Sequence, residues 1–240
     1  MKFTFNTKQA IFLSLGFVFF TIFGTLSHEY GHILIAKYLG FDTTLFYGRM
    51  IYHDPDCDPE IFEIYSNNKY FIDNGVSFPE ADYYNEITEE RNFKSFLVIL
   101  GGPIQTMLTG TLGIVFLFFR RKNIVKFGIK FIDWIFVFLT LFWLRPIFNF
   151  LTGVISETLT SRGGVFNGNS DEIKISHYLN LYDGFITILT SLLGLLILSY
   201  LFFIIIPRKT RFTLLLSGFF GSLVGYVFWF KILGPVLLPY

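Results

Sequence analysis

The stretch AIFLSLGFVFFTIFGTLSHEYGHILIAKYL, residues 10–39, decides how this chain is organised. It is apolar over more than the roughly 20 residues that a helix needs to cross a bilayer. Near its end stands His28-Glu29-Tyr30-Gly31-His32. Two histidines at this spacing lie on the same face of a helix, so both imidazoles can bind one metal ion. The stretch therefore predicts a membrane-spanning helix that carries a metal site.

The composition of the whole chain is that of a membrane protein. Of its 240 residues, 52% are hydrophobic and 15% are charged, whereas a soluble domain carries about 25% charged residues. The net charge of +1 argues against a nucleic-acid-binding protein. We expect an all-α, polytopic helical bundle in the lipid bilayer, with residues 1–240 forming one domain. The five predicted spans are Ala10–Leu39, Phe93–Phe119, Phe127–Ile155, Gly184–Ile206 and Phe212–Phe230.

A polar segment, residues 41–92, separates the first two spans. It holds twelve acidic residues and three basic ones. Thr43–Tyr52 is β-prone, and two further β-prone runs, Ile61–Tyr65 and Lys69–Phe78, flank the turn signal Asn67-Asn68. We expect a small β-hairpin outside the membrane in this insertion.

The residues His28, Glu29 and His32 form the most specific pattern in the chain. A catalytic zinc ion generally takes three protein ligands and leaves a fourth position open. The histidines would supply two ligands, and Glu29 is expected to be the general base that takes a proton from water. The third ligand must come from elsewhere. The sequence leaves four candidates open: Glu157, Asp171, Glu172 and His177.

Polar and helix-breaking residues also occur in the second span. Gly101-Gly102-Pro103 lacks one backbone donor and lets another backbone approach closely. Gln105 adds an amide that needs a partner in apolar surroundings. We interpret this element as part of the active-site lining, with close packing of helices as the alternative.

The third span contains Arg145-Pro146 and Asn149. Pro146 is expected to interrupt the helix and to free the carbonyl of Phe142. Three roles are open to Arg145: it can pair with a carboxylate, extend to the membrane surface, or stabilise negative charge on a reacting carbonyl. The sequence does not distinguish these roles.

Together these elements resemble the site-2 protease family of intramembrane zinc metalloproteases. The resemblance rests on an apolar helix with His28, Glu29 and His32, followed by Gly102-Pro103 and by a distal Asp171. It implies a zinc metalloendopeptidase that spans a bacterial cell membrane several times. The substrates that it implies are membrane proteins or peptides, and the oligomeric state stays open.

The resemblance also implies roles for individual residues. Glu29 would be the general base, and the Zn²⁺ ligands would be His28, His32 and Asp171. The residues that would contact substrate are Gly102, Pro103, Gln105 and Asn149. Two positions depart from the family pattern, since Ser170-Asp171-Glu172 replaces Leu-Asp-Gly and Thr106 stands near the place of an Asn.

Two other interpretations are compatible with the same histidines. A membrane zincin of the Ste24-like type would use a Glu as third ligand, and Glu157 would then take the place of Asp171. A non-catalytic zinc-binding membrane protein would close the site with a fourth side chain, such as His177 or His53.

The distribution of basic residues predicts the orientation in the membrane. Residues 120–130 and 207–211 hold eight Lys or Arg and no acid. In a five-span arrangement these two loops and the N-terminus share one side, which the positive-inside rule assigns to the cytoplasm. The histidine end of the first span would then face the opposite side. The family resemblance implies the reverse, a site towards the cytosol.

Overall fold

Helices dominate the architecture of the computed structural model, which describes residues 5–53, 59–159, 165 and 168–239. Five helical segments in these ranges are long and apolar enough to cross a membrane. They are Thr7–Tyr38, Ala81–Phe127, Phe131–Leu159, Phe185–Ile205 and Arg208–Leu237. The predicted all-α membrane bundle of five spans is thus confirmed.

The elements follow one another in a simple order. A hairpin and a short helix separate the first two spans, and a further short helix precedes the fourth. The helices are α1 Thr7–Tyr38, α2 Pro59–Asp73, α3 Ala81–Phe127, α4 Phe131–Thr140, α5 Leu144–Leu159, α6 Asp171–Tyr178, α7 Phe185–Tyr200, α8 Arg208–Val227 and α9 Gly234–Leu237. The strands are β1 Asp42–Leu45 and β2 Met50–His53, while a 3₁₀ turn covers Leu141–Trp143 and π-helical turns cover Leu201–Ile205 and Phe228–Leu233.

The polar insertion contains the predicted hairpin, but only in its first part. β1 and β2 pair antiparallel, with Leu45 opposite Met50, as the β-prone run predicted. The strands predicted for Ile61–Tyr65 and Lys69–Phe78, around Asn67-Asn68, are wrong, because α2 covers Pro59–Asp73. Ile61 and Ile64 are both buried, and this three-residue spacing follows a helical rather than a strand period. A proline at the start of α2 and Gly75, with φ of +64° after its end, are signals of helix boundaries.

Proline acts differently in the second and third spans. The interruption expected near Pro146 is confirmed, since α4 ends at Thr140 and α5 begins after the 3₁₀ turn. Pro146 lies in the first turn of α5, where the missing N–H has no intrahelical partner to lose. Pro103, by contrast, lies inside α3, which continues through it without a break.

One end of the bundle brings together both basic loops and the start of α1. Its apolar core contains Leu13 of α1, Ile124 of α3, Trp134 of α4, Ile205 after α7 and Leu214 of α8. These are the parts of each span next to the N-terminus and to the basic segments 120–130 and 207–211, most of which belong to the end of α3 and the start of α8. From Leu13 to His28 a helix rises roughly 22 Å at 1.5 Å per residue. The histidines therefore lie towards the other end, beside the hairpin.

The hairpin is anchored at that second end by side chains of the spans. The ring of Phe41 stacks on Tyr52 at 5.2 Å and is buried with Ala36 and Val98. Tyr52 is also hydrogen-bonded to Ser95 of α3, with 2.7 Å between the hydroxyl oxygens. The hairpin therefore has a fixed place against α1 and α3.

Candidate metal centre

Three side chains converge between α1 and α6. The Nε2 atoms of His28 and His32 lie 3.2 Å apart. Oδ2 of Asp171, the first residue of α6, lies 3.1 Å from the first of these nitrogens and 3.4 Å from the second. The fold thus brings Asp171 to His28 across 143 positions of sequence.

The triangle of these three atoms has the size of a metal site. In tetrahedral zinc coordination with bonds of about 2.0–2.2 Å, ligand atoms lie roughly 3.3–3.6 Å apart. The observed edges of 3.1, 3.2 and 3.4 Å come close to this spacing. Both imidazoles are buried, with 2% of His28 and 7% of His32 exposed. The donor set of two nitrogens and one carboxylate oxygen also suits zinc.

The hydrogen bonds of the imidazoles favour the same interpretation. Nδ1 of His32 lies 2.7 Å from the carbonyl oxygen of Val98, which can only accept, so Nδ1 carries the proton. In neutral His32 the Nε2 atom then presents a lone pair to the carboxylate of Asp171. A cation between these electron-rich atoms would remove their repulsion, and an outward Nδ1–H bond to a carbonyl is the usual support of a metal-binding histidine.

One face of α3 supports both imidazoles. Val98, Gly102 and Thr106 follow one another at intervals of four residues and are all buried. Oγ1 of Thr106 lies 2.9 Å from Nδ1 of His28. Sequence analysis did not connect Thr106 with this histidine. The signal that could have found it is the four-residue spacing from Gly102 on the face that meets α1.

Two glycine contacts explain how α3 comes so close to α1. A Cβ on Gly31 would lie 2.5 Å from the carbonyl oxygen of Gly101, so the two backbones are in direct contact here. A Cβ on Gly102 would lie 2.6 Å from Nε2 of His28 and would also overlap Nε2 of His32. The close approach predicted for Gly101-Gly102 is confirmed, and Gly102 leaves the space that the two imidazoles occupy.

Glu29 lies beside the three converging groups but is not one of them. Its side chain is buried, and Oε2 accepts a hydrogen bond of 2.9 Å from the backbone N–H of Met50 in β2. The metal-ligating set in the described part of the chain contains only His28, His32 and Asp171. The carboxylate of Glu29 is therefore free of the ligand triangle and is held in place by the hairpin.

The helix that carries Asp171 is firmly placed. The next residue, Glu172, is 5% exposed and accepts hydrogen bonds of 3.1 and 3.3 Å from the amide of Asn149. Asn149 on α5 thus fixes the start of α6, where Asp171 stands.

The other candidate ligands lie elsewhere. Glu157 accepts a hydrogen bond of 3.0 Å from the backbone N–H of Val165. His177 is largely exposed and pairs with Asp183 at 3.3 Å, and His53 is exposed at the end of β2. Within residues 5–53, 59–159, 165 and 168–239, no fourth histidine, cysteine or acid joins the triangle. The geometry selects Asp171 among the four candidates.

The structure brings together the predicted substrate-binding residues only in part. Gly102 adjoins both imidazoles, and Pro103 is buried next to it. The amide of Gln105 instead donates a hydrogen bond of 3.0 Å to Thr109 within α3. Asn149 reaches the site only through Glu172. Contact of these residues with a substrate stays a prediction.

Comparison of the chain with models of protein families, with curated proteins and with solved structures gave no match. Any conclusion about function therefore depends on the residues of the site.

Proposed function

We propose that this chain is a membrane-embedded zinc metalloprotease that hydrolyses peptide bonds of membrane-associated or transmembrane proteins. The observation that carries the proposal is the triangle of His28, His32 and Asp171 in a membrane bundle, with both imidazoles buried and the separate, buried carboxylate of Glu29 beside it. Three protein ligands with one position left open are typical of catalytic zinc sites, whereas structural sites are closed by a fourth side chain.

The residues divide the work of hydrolysis between them. Zinc held by His28, His32 and Asp171 would supply a Lewis acid that polarises a peptide carbonyl and makes water more acidic. Glu29 takes one proton from the attacking water as the new C–O bond forms, and returns it to the leaving amine as the C–N bond breaks. The N–H of Met50 keeps the Glu29 carboxylate oriented for both transfers.

The position of the site determines what kind of segment can be cut. Because the backbone carbonyls of a transmembrane helix are hydrogen-bonded within the helix, the scissile carbonyl must first be exposed by local unwinding. Segments with helix-breaking residues, or segments near the membrane boundary, are therefore the expected substrates. The hairpin lies at this end of the bundle and is bonded to Glu29, so it borders the space in which such a segment would lie.

The decisive experiment compares the wild-type protein with Glu29→Gln in detergent. Each protein is assayed for zinc content and for cleavage of an internally quenched peptide of transmembrane length with a central Gly-Pro break. We expect about one zinc ion per chain in both, and a fall in cleavage of at least about 100-fold in the variant. Glu157→Gln is the matched control, because Glu157 lies outside the ligand triangle, and it should keep both properties.

Two results would contradict the proposal. One is a wild-type protein that holds no zinc after purification in metal-containing buffer. The other is a Glu29→Gln variant that cleaves the peptide as fast as the wild type.

A further inference from the structure

Arg145 lies at the level of the candidate metal centre, and none of the described residues forms an ion pair or hydrogen bond with its guanidinium. It is the second residue of α5 and belongs to the span Phe131–Leu159. The indole of Trp143, two residues before it, packs on Gly110 of α3, one turn from Thr106, the partner of His28, which places Arg145 at the level of the metal centre. Its Nε atom is buried and has no hydrogen-bond partner. In the parts of the chain that the structure describes, Arg145 forms no ion pair.

Two other arginines of the bundle have partners within the protein. Arg120 forms an ion pair with Asp133, which is completely buried. Arg211 donates hydrogen bonds to the carbonyl oxygens of Ile206 and Phe203, at 3.0 and 2.6 Å. A cation in an apolar span is unfavourable unless it has a partner. The contrast shows that pairing is the rule in this bundle and that Arg145 departs from it.

The structure narrows the three roles that the sequence left open for Arg145. Pairing with a carboxylate is absent among the described residues. Extension to the membrane surface would leave the buried Nε without an acceptor, although the side chain as a whole is only half-buried. Stabilisation of negative charge on a reacting group would give this donor an acceptor at the level of the candidate zinc ligands.

The geometry points to Arg145 as the residue that binds an anionic oxygen of the substrate. This inference rests on the proposed peptidase function. A guanidinium presents a fork of N–H donors that suits a carboxylate-like group and stays charged at any physiological pH. The shared ligand chemistry is an anionic oxygen on carbon next to the metal centre.

Two groups of a peptide can supply this oxygen. The first is the scissile carbonyl: as water adds and Glu29 takes its proton, the π-electron pair moves to the carbonyl oxygen, which becomes negative until the C–N bond breaks. The second is the free C-terminal carboxylate of a peptide cut near its end. If the oxygen belongs to the scissile carbonyl, Arg145 stabilises the transition state. If it belongs to the C-terminal carboxylate, Arg145 helps to select the substrate.

The kinetic test uses Arg145→Met, which keeps the length of the side chain and removes its charge, and Arg145→Lys. The quenched transmembrane peptide is prepared with a free and with an amidated C-terminus. A fall in kcat of about 100-fold or more in Arg145→Met with both peptides supports the scissile carbonyl as the source. A rise in KM confined to the free carboxylate supports the C-terminus. Arg145→Lys should recover part of the loss, and Lys122→Met, an exposed cation in the basic loop, should behave as the wild type.

A second measurement does not depend on activity. If Arg145 lacks a protein partner, its replacement by Met should leave the thermal midpoint of the metal-free protein unchanged or raise it, with zinc content retained. Arg120→Met should lower the midpoint, because it leaves the Asp133 carboxylate buried and unpaired. Activity of Arg145→Met within about threefold of the wild type, or a lower midpoint with loss of zinc, would overturn the inference.

The same measurements separate this inference from the proposed function. Wild-type protein that cleaves neither peptide, and is indistinguishable from Glu29→Gln, rejects the peptidase. The thermal midpoint then decides on Arg145 alone. An unchanged or higher midpoint in Arg145→Met supports a cation kept for an external anion, and a lower midpoint makes it a structural residue.

Discussion

Both ends of the bundle bury ionisable side chains. At one end these side chains form an ion pair, and at the other end they do not. The basic end is the end that holds the basic segments 120–130 and 207–211. There Arg120 and Asp133 form an ion pair, and the carboxylate of Asp133 also accepts a hydrogen bond of 2.9 Å from the backbone N–H of Lys130. The opposite end, called the metal end after its candidate centre, holds His28, His32 and Asp171, which turn their electron-rich atoms towards one another. Arg145 at this end lacks an acid partner among the described residues. A buried pair such as Arg120 and Asp133 is costly to break, whereas ionisable groups gathered without such pairing are candidates for a functional site.

The largest expected effect distinguishes the two ends by their side of the membrane. From the positive-inside rule we expect the basic end in the cytoplasm and the metal end outside. Cys57, the only thiol, lies outside the described residues but follows β2 by four positions in the sequence. We predict that a membrane-impermeant maleimide labels Cys57 in intact cells without permeabilisation.

The matched control moves the thiol to the other end, as Lys122→Cys in a Cys57→Ser background. This cysteine should react only after permeabilisation. The opposite pattern, with both thiols reactive in permeabilised cells, would put the metal end in the cytosol, as the family resemblance implies.

The second prediction separates Asp171 from the acids and histidines that only adjoin the site in sequence. Asp171→Ala removes one corner of the ligand triangle, so zinc affinity should fall by more than the 10–100-fold that is typical for the loss of a supporting residue. Glu157→Ala and His177→Ala should keep the wild-type affinity, since their side chains bond to Val165 and Asp183 instead. Metal analysis after identical dialysis of the three variants makes the comparison. Loss of zinc from Glu157→Ala with retention in Asp171→Ala would favour the Ste24-like alternative.

The sequence predicted the parts of the site that depend on local spacing. His28, Glu29 and His32 belong to one helix, so their mutual arrangement follows from the period of that helix. The spans follow from the length of apolar runs, and the first hairpin follows from a run of β-prone residues. In α2 the same local reasoning failed, because it weighed strand propensity above the proline and glycine at the helix boundaries.

What the sequence left open depends on tertiary contacts. The choice of Asp171 among four candidates required α6 to be placed against α1, which the bond between Asn149 and Glu172 secures. The contact of Thr106 with His28 required the register of α3 against α1, which is set where Gly31 meets Gly101. Neither register can be read from the spacing of residues along one element.

The smallest expected effect tests that register. Thr106→Val keeps the shape of the side chain but removes the hydroxyl that lies 2.9 Å from Nδ1 of His28. Zinc affinity should fall by about 10–100-fold, since the partner of a ligating imidazole orients its ring and raises its basicity.

Thr109→Val is the control, because Thr109 lies one turn further along α3 and accepts a hydrogen bond from Gln105 instead. The two variants are compared by competition with a zinc chelator, and Thr106→Ser should restore the wild-type value. Equal affinities for Thr106→Val and Thr109→Val would mean that the α3 face places the imidazoles by shape alone, through Gly102, without help from the hydroxyl.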